Sequence, residues 1–148
     1  MARGDFTLFE EFAAQLGGEN HAFASDVLKL GIITNVAAPT AADTTPTWSD
    51  YSANEVGTGG GYVTGGITLS GVTYAEVAGV ATLDDTGNIA IAQNAAGFTD
   101  GYWGILYNST NATGMAIGFL DLGGPVSEVA GPIAINWNAS GIFTLTIA

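Results

Sequence analysis

Apolar residues near the start of the chain recur three and four positions apart. In DFTLFEEFAAQLG, residues 5–17, the side chains of Phe6, Phe9, Phe12 and Leu16 fall on one helical face. Asp5 is placed to cap the N-terminus of such a helix, and the Gly17-Gly18 pair to end it. A short amphipathic helix within residues 1–18 is therefore expected, with Glu10 and Glu11 toward solvent. A phenylalanine stripe of this kind packs into the chain's own core or, if exposed, meets a partner.

From residue 26 the period changes to two. Val27, Leu28, Leu30, Ile32 and Ile33 predict a strand over 26–34, with Lys29 marking an outward position. Residues 35–58 then lose apolar periodicity; Pro39, Pro46 and clusters of Thr and Ala make them a long loop or arm. Loops of this length are uncommon inside a compact domain and are often functional. Trp48 and Tyr51 lie within it, to anchor it on its own core or to touch a neighbouring subunit. Short strands are expected from there on, over 62–69, 72–78, 89–93, 102–108, 115–121, 132–137 and 142–147. Turn chemistry separates them at Ser70-Gly71, at Asp84-Asp85-Thr86-Gly87-Asn88, at Asp100-Gly101, at Gly123-Gly124 and at Asn138-Ala139-Ser140-Gly141. The last two strands read as a hairpin, with Ile133, Ile135 and Trp137 on one face and Phe143, Leu145 and Ile147 on one face of the partner. Together these elements predict a mainly β chain over residues 1–148, a single antiparallel β-sandwich or barrel-like domain with one N-terminal helix and its main β region at 62–148.

The stretch GGGYVTGG, residues 59–66, could be a phosphate loop, a linker or a bend. A phosphate loop needs a helix after its glycines and a Lys-Ser or Lys-Thr pair, and neither follows here. A linker would not be interrupted by Tyr62 and Val63 and run straight into strands. The remaining reading is a glycine-bent start to a strand, in which the Tyr62 ring packs while the backbone turns sharply.

Composition changes the picture mainly through charge. Fourteen carboxylates face only Arg3 and Lys29, for a formal net charge of −12. Nucleic-acid binding rests on Lys and Arg contacts to phosphate, so neither DNA nor RNA is expected as a partner. The field favours solubility and docking on a basic protein surface. The 22 glycines are about twice the usual share of roughly 7%, and they look like turn and bulge positions. Cysteine is absent, which excludes disulfides and thiol chemistry. No apolar run approaches the roughly 20 residues that span a bilayer as a helix, and no signal-peptide pattern opens the chain, so no membrane partner is expected.

The residues offer little catalytic chemistry. His21 is the one histidine; without Cys or a second His it makes a poor zinc site, and no GxSxG elbow accompanies it. It reads as a polar loop residue. Residues 84–88 carry oxygen ligands at alternate positions but lack the length and closing Glu of a calcium loop, so a turn explains them better. Asp100 and Asp121 are too isolated to argue as a carboxylate pair. No cofactor, metal or catalytic residue is expected, and the chain does not read as an enzyme.

Several segments together resemble a known group. They are Phe9-Glu10-Glu11-Phe12-Ala13-Ala14-Gln15-Leu16, DVLKLGIITN at 26–35, Ala38-Pro39, GYVTGG at 61–66, YWGILYN at 102–108, IGFLDLG at 117–123 and ASGIFTL at 139–145. The arrangement is similar to small structural proteins of tailed bacteriophages, of the capsid decoration or cement type. The resemblance implies a virion protein on the capsid exterior that binds the major capsid protein and neighbouring copies of itself, as a trimer or dimer. It brings no catalytic residues. Candidate contact residues are Phe6, Phe9 and Phe12 on the helix, Trp48 and Tyr51 in the long loop, and Tyr62 in the glycine bend. A tail, baseplate or receptor-binding component would share this composition. So would a carbohydrate-binding module using Trp103 or Trp137 as a platform.

Overall fold

The computed structural model describes residues 5–147. The chain is mainly β and its sheets are antiparallel. Its strands are β1 (Phe6–Leu8), β2 (Leu28–Ile33), β3 (Ile67–Thr68), β4 (Val72–Val77), β5 (Val80–Asp85), β6 (Ile89–Ile91), β7 (Gly101–Asn108), β8 (Ala116–Val126), β9 (Ile133–Ile135) and β10 (Phe143–Thr146). Two short α-helices are α1 (Phe12–Gly17) and α2 (Trp48–Tyr51). The strands form a five-stranded sheet in the order β1-β8-β7-β2-β3, a three-stranded sheet β10-β5-β4 and a pair β6-β9. None of these sheets closes on itself among the described residues.

The central sheet is buried on both faces. Leu28, Leu30, Ile32, Leu106 and Leu120 on one side join a cluster with Leu83 and Phe143 of the three-stranded sheet and Ile89, Ile91 and Ile135 of the pair. On the other side Ile33, Ile105, Tyr107 and Phe119 pack with Phe9, Tyr51 and Trp48. This is why residues 28–33 are almost continuously buried and do not alternate with polar positions.

The second face is covered by the segment expected as a loose loop or arm. Residues 35–58 contain 3-10 turns at Asn35–Ala37 and Ser52–Asn54 as well as α2. The Asp50 carboxylate accepts the Thr47 N–H at 2.8 Å, which fixes the start of α2. Trp48 then stacks parallel on Tyr107, with ring centroids 4.9 Å apart. Gly31 makes room for that indole: a Cβ there would lie 2.2 Å from Trp48 Cη2.

Several expectations need correction. The helix does not span 5–17: residues 6–8 pair with β8, Phe6 opposite Leu120, and only Phe12–Gly17 is helical. Phe6, Phe9 and Phe12 are therefore not one helical stripe, and Asp5 caps nothing in α1, whose N-cap is Glu11. A strand is present where none was expected, β5, and it is the middle strand of its sheet. Its final carboxylates made it look like a turn. The C-terminal hairpin does not form. Ile135 of β9 pairs with Ile89 and Phe143 of β10 pairs with Leu83, because Gly141, at φ 93°, carries the chain across to the Leu83 carbonyl. Gly123-Gly124 does not separate strands but lies within β8, where a Cβ on Gly124 would sit 2.6 Å from the Tyr102 ring.

The glycine stretch behaves as a bend, although regular pairing begins only at Ile67. Tyr62 is 1% exposed, its ring edge-on to Phe98. Its hydroxyl accepts the Ile32 N–H at 2.8 Å and donates to Glu55 Oε1 at 2.7 Å. Gly66 N closes the turn on the Val63 carbonyl at 3.0 Å.

Two substitutions probe these joints. Tyr62→Phe leaves the buried Ile32 amide without its acceptor, and urea unfolding should show a loss of about 1–3 kcal/mol with an unchanged m-value. Gly31→Ala drives a methyl into the Trp48 ring and should lose about 1–3 kcal/mol, with a shift in tryptophan fluorescence that reports the displaced indole.

Candidate functional site

The expected contact residues are placed mostly inside the chain. Phe9, Phe12, Tyr51 and Tyr62 are 1%, 2%, 5% and 1% exposed, and Phe6 and Trp48 are half-buried. Phe9 packs on Phe119 and Tyr51, and Phe12 on Phe143 and Phe23. Tyr51 donates its hydroxyl to Asp43 Oδ2 at 2.6 Å. Burial, reinforced by that carboxylate, pushes the Tyr51 phenol well above its ordinary range; burial and Glu55 do the same for Tyr62. Burial also acts upward on Asp43, but hydrogen bonds from Thr40 and Tyr51 outweigh it and hold its carboxyl below the usual range. These six residues split between the two core clusters and are not brought together on one surface. Any contact through their elements falls to exposed neighbours such as Val36 and Val63.

His21 is not a solvated loop residue. It is buried, stacked on Phe23 with centroids 5.4 Å apart, and tilted against Phe12. Its Nε2 lies 3.1 Å from Gln15 Oε1 and its Nδ1 3.3 Å from Asn108 Nδ2. The pattern fits a neutral ring that donates from Nε2 and accepts at Nδ1. Asn108 Nδ2 also reaches Asp26 Oδ2 at 2.6 Å and the Asn20 carbonyl at 3.0 Å, and its Oδ1 accepts from Thr110 and Asn111. The cluster ties the 18–27 segment to the end of β7. Both ring nitrogens of His21 are thus engaged within this cluster.

The Asp84-Asp85 pair at the end of β5 is likewise employed internally. Asp85, 2% exposed, accepts from the Gly71 and Gly87 amides at 2.7 and 3.1 Å and from Trp137 Nε1 at 3.3 Å. Asp84 accepts the Asp85 amide. Among the described residues no three His, Asp or Glu side chains converge as a metal site.

A groove of about 880 Å³ lies beside β8, lined by Phe6, Leu122, Ile133, Trp137 and Phe143 together with Asp121 and Asn138. It sets an aromatic face and apolar side chains beside a carboxylate and an amide. Trp103, the other expected platform, does not line it; its Nε1 donates to Asn35 Oδ1 at 2.9 Å and its ring is edge-on to Phe119. The exposed side of the three-stranded sheet is the second surface of note. Thr73, Tyr74, Ala75, Glu76 and Val77 of β4 are all exposed, and Val77 and Ile147 stand 74% and 86% exposed near its tip. These exposed strand positions were not singled out from sequence, because alternation alone does not reveal which strand ends a sheet.

Compared with family models, curated proteins and solved structures, the chain gives no match in any of the three.

The His21 cluster predicts a pH dependence. Burial, which disfavours the imidazolium, outweighs the pull of Asp26 and lowers the His21 pKa below 6.5. The unfolded chain then binds more protons than the folded one, so this contribution to stability is fully present above about pH 6.5 and is lost as pH falls through the lower folded value. Denaturant unfolding across that window should show a fall in stability for the native chain that is smaller in His21→Gln.

Proposed function

We propose that this chain is a structural protein of a tailed-bacteriophage virion that works by adhesion, as a decoration or cement protein on the outer surface of the major capsid protein shell. The reading rests on the resemblance given in the sequence analysis, in which segments along most of the chain look like those of such proteins. A formal charge of −12 supports it, since such a surface docks on basic protein patches and is repelled by packaged DNA. The fold also supports it. Burial on both faces of the central sheet makes a stiff body, and a stiff body loses little freedom when it binds. Within this proposal we read the layers as a sandwich, the five-stranded sheet packed against the smaller sheets through their shared core. Apolar area buried at subunit junctions contributes about 25 cal/mol per Å² before association costs are subtracted, and repetition over a shell turns modest contacts into avidity.

Two alternatives belong to other classes. One is a tail, baseplate or receptor-binding component. The other is a carbohydrate-binding module, which the groove favours through Trp137 and not Trp103.

Immunogold labelling of virions separates the first two: decoration predicts label over the head, and label confined to the tail overturns it. Particles made without the chain should release DNA at a lower temperature, and adding the purified protein should restore the original value. Glycan-array binding abolished by Trp137→Ala and kept by Trp103→Ala would replace the decoration reading with the carbohydrate one.

A further inference from the structure

We propose that the outer edge of β4 is a docking strand for an extended, lysine- or arginine-bearing segment of another protein, which adds to the three-stranded sheet as a fourth strand. The inference does not depend on the virion reading.

β4 is the last strand of the order β10-β5-β4, and with six residues it is the longest of the terminal strands. Its backbone pattern follows from the turn. Val77 and Val80 flank a two-residue loop, Ala78-Gly79, whose φ values of 54° and 84° are both positive. Such a loop makes its flanking residues a hydrogen-bonded pair. Alternation then makes Ala75 with Thr82 and Thr73 with Asp84 further bonded pairs. The next pair in the series is observed directly: the Thr86 N–H donates to the Gly71 carbonyl at 3.2 Å. Consequently Val72, Tyr74 and Glu76 turn their N–H and C=O groups away from β5, to the open side. Among the described residues no other segment bonds to them.

Natural edges are normally blunted by proline, lysine, a bulge or a covering segment. The outer edge of β8 beyond its pairing with β1 shows this. Pro125 has no N–H there, and Asp121 Oδ1 takes the Gly123 amide at 2.7 Å. β4, reading VTYAEV, has no proline, lysine or bulge. Its only charge is Glu76, whose carboxylate is folded back to accept the Gly79 N–H. An incoming strand would find three free backbone pairs and the exposed edge of Tyr74, whose ring packs on Phe23 at 5.1 Å.

Charge selects the occupant. The ionisable groups of β4 and β5 that are not phenolic are Glu76, Asp84 and Asp85, all acidic. A second copy would set the same acidic strand, on a chain of formal net charge −12, against this edge, so a basic strand from a different protein fits and self-pairing does not.

The test uses the ¹⁵N-labelled full chain and a synthetic peptide of alternating valine and threonine flanked by lysines. Amide hydrogen exchange is read residue by residue. At a peptide concentration about ten times Kd, exchange at Val72, Tyr74 and Glu76 should slow about tenfold. Thr73, Ala75 and Val77, already bonded to β5, should change little. Two controls should abolish the protection: the same peptide N-methylated on its pairing face, and Ala75→Lys, a change at an exposed position that places a like charge on the edge. A glutamate-flanked peptide should protect far less. The proposal is overturned if no protection appears at millimolar peptide, or if the N-methylated peptide protects equally. It is also overturned if protection grows with protein concentration alone, which would assign the edge to a second copy.

Discussion

At Gly59, Gly60 and Gly66 the backbone lies too close to its neighbours for side chains, and the rest of the molecule is assembled around that approach. A Cβ on Gly59 would meet the Ala96 carbonyl at 2.0 Å, on Gly60 the Glu128 carboxylate at 1.8 Å, and on Gly66 the Leu30 carbonyl at 2.5 Å. Glu128, 0% exposed, reciprocates by accepting the Gly61 N–H at 2.6 Å. Glu55 Oε1 accepts from Gly65 and from Tyr62, and Tyr107 donates to the Gly65 carbonyl. One short segment thus joins β2, β7, the 94–98 turn and the 127–131 turn. Its single large side chain, Tyr62, fills the space between them.

That junction explains why the long segment before it is ordered. Residues 35–58 leave the end of β2 and return to the glycine stretch, so both ends are held a short distance apart on the central sheet. The span between is obliged to cross the sheet's second face. It brings Trp48 and Tyr51 to cover Ile33, Ile105 and Phe119, which would otherwise be an exposed apolar surface. The absence of periodicity in this segment reflects a covering made by a few large rings and short turns, with no repeating element behind it.

Much of the strand content was legible because β6, β7, β9 and β10 carry apolar runs bounded by turn residues. The bend at Gly59–Gly66 was legible because a Tyr between glycines has few other uses. The failures have specific causes. The spacing of Phe6, Phe9 and Phe12 fits a helix, but pairing with Leu120 and Gly118 takes Phe6 and Leu8 into a strand, and local periodicity carries no information about a partner more than a hundred residues away. β5 was hidden because Asp84 and Asp85 look like turn residues, whereas the buried Asp85 is satisfied by amides from two loops and an indole. The hairpin expected from β9 and β10 failed because alternation predicts faces and not partners. Among the site candidates, large aromatics were the natural choices for contact, and in a chain of this size the core claims them first.

The acidity also acquires a second meaning. Carboxylates of Glu11, Asp26, Asp43, Asp50, Glu55, Glu76, Asp84, Asp85, Asp121 and Glu128 each accept a backbone N–H, mostly in turns and irregular segments. A chain with no disulfide and short strands leaves many amides outside sheet ladders, and charged acceptors satisfy them more strongly than neutral ones. Much of the imbalance between acidic and basic residues therefore follows from how the loops are held. Accepting an N–H does not neutralise the carboxylate, so the residues that fasten the turns also set the field met by an approaching partner. The adhesion to a basic surface proposed above would then need no dedicated acidic patch: it would draw on the groups that hold the loops in place.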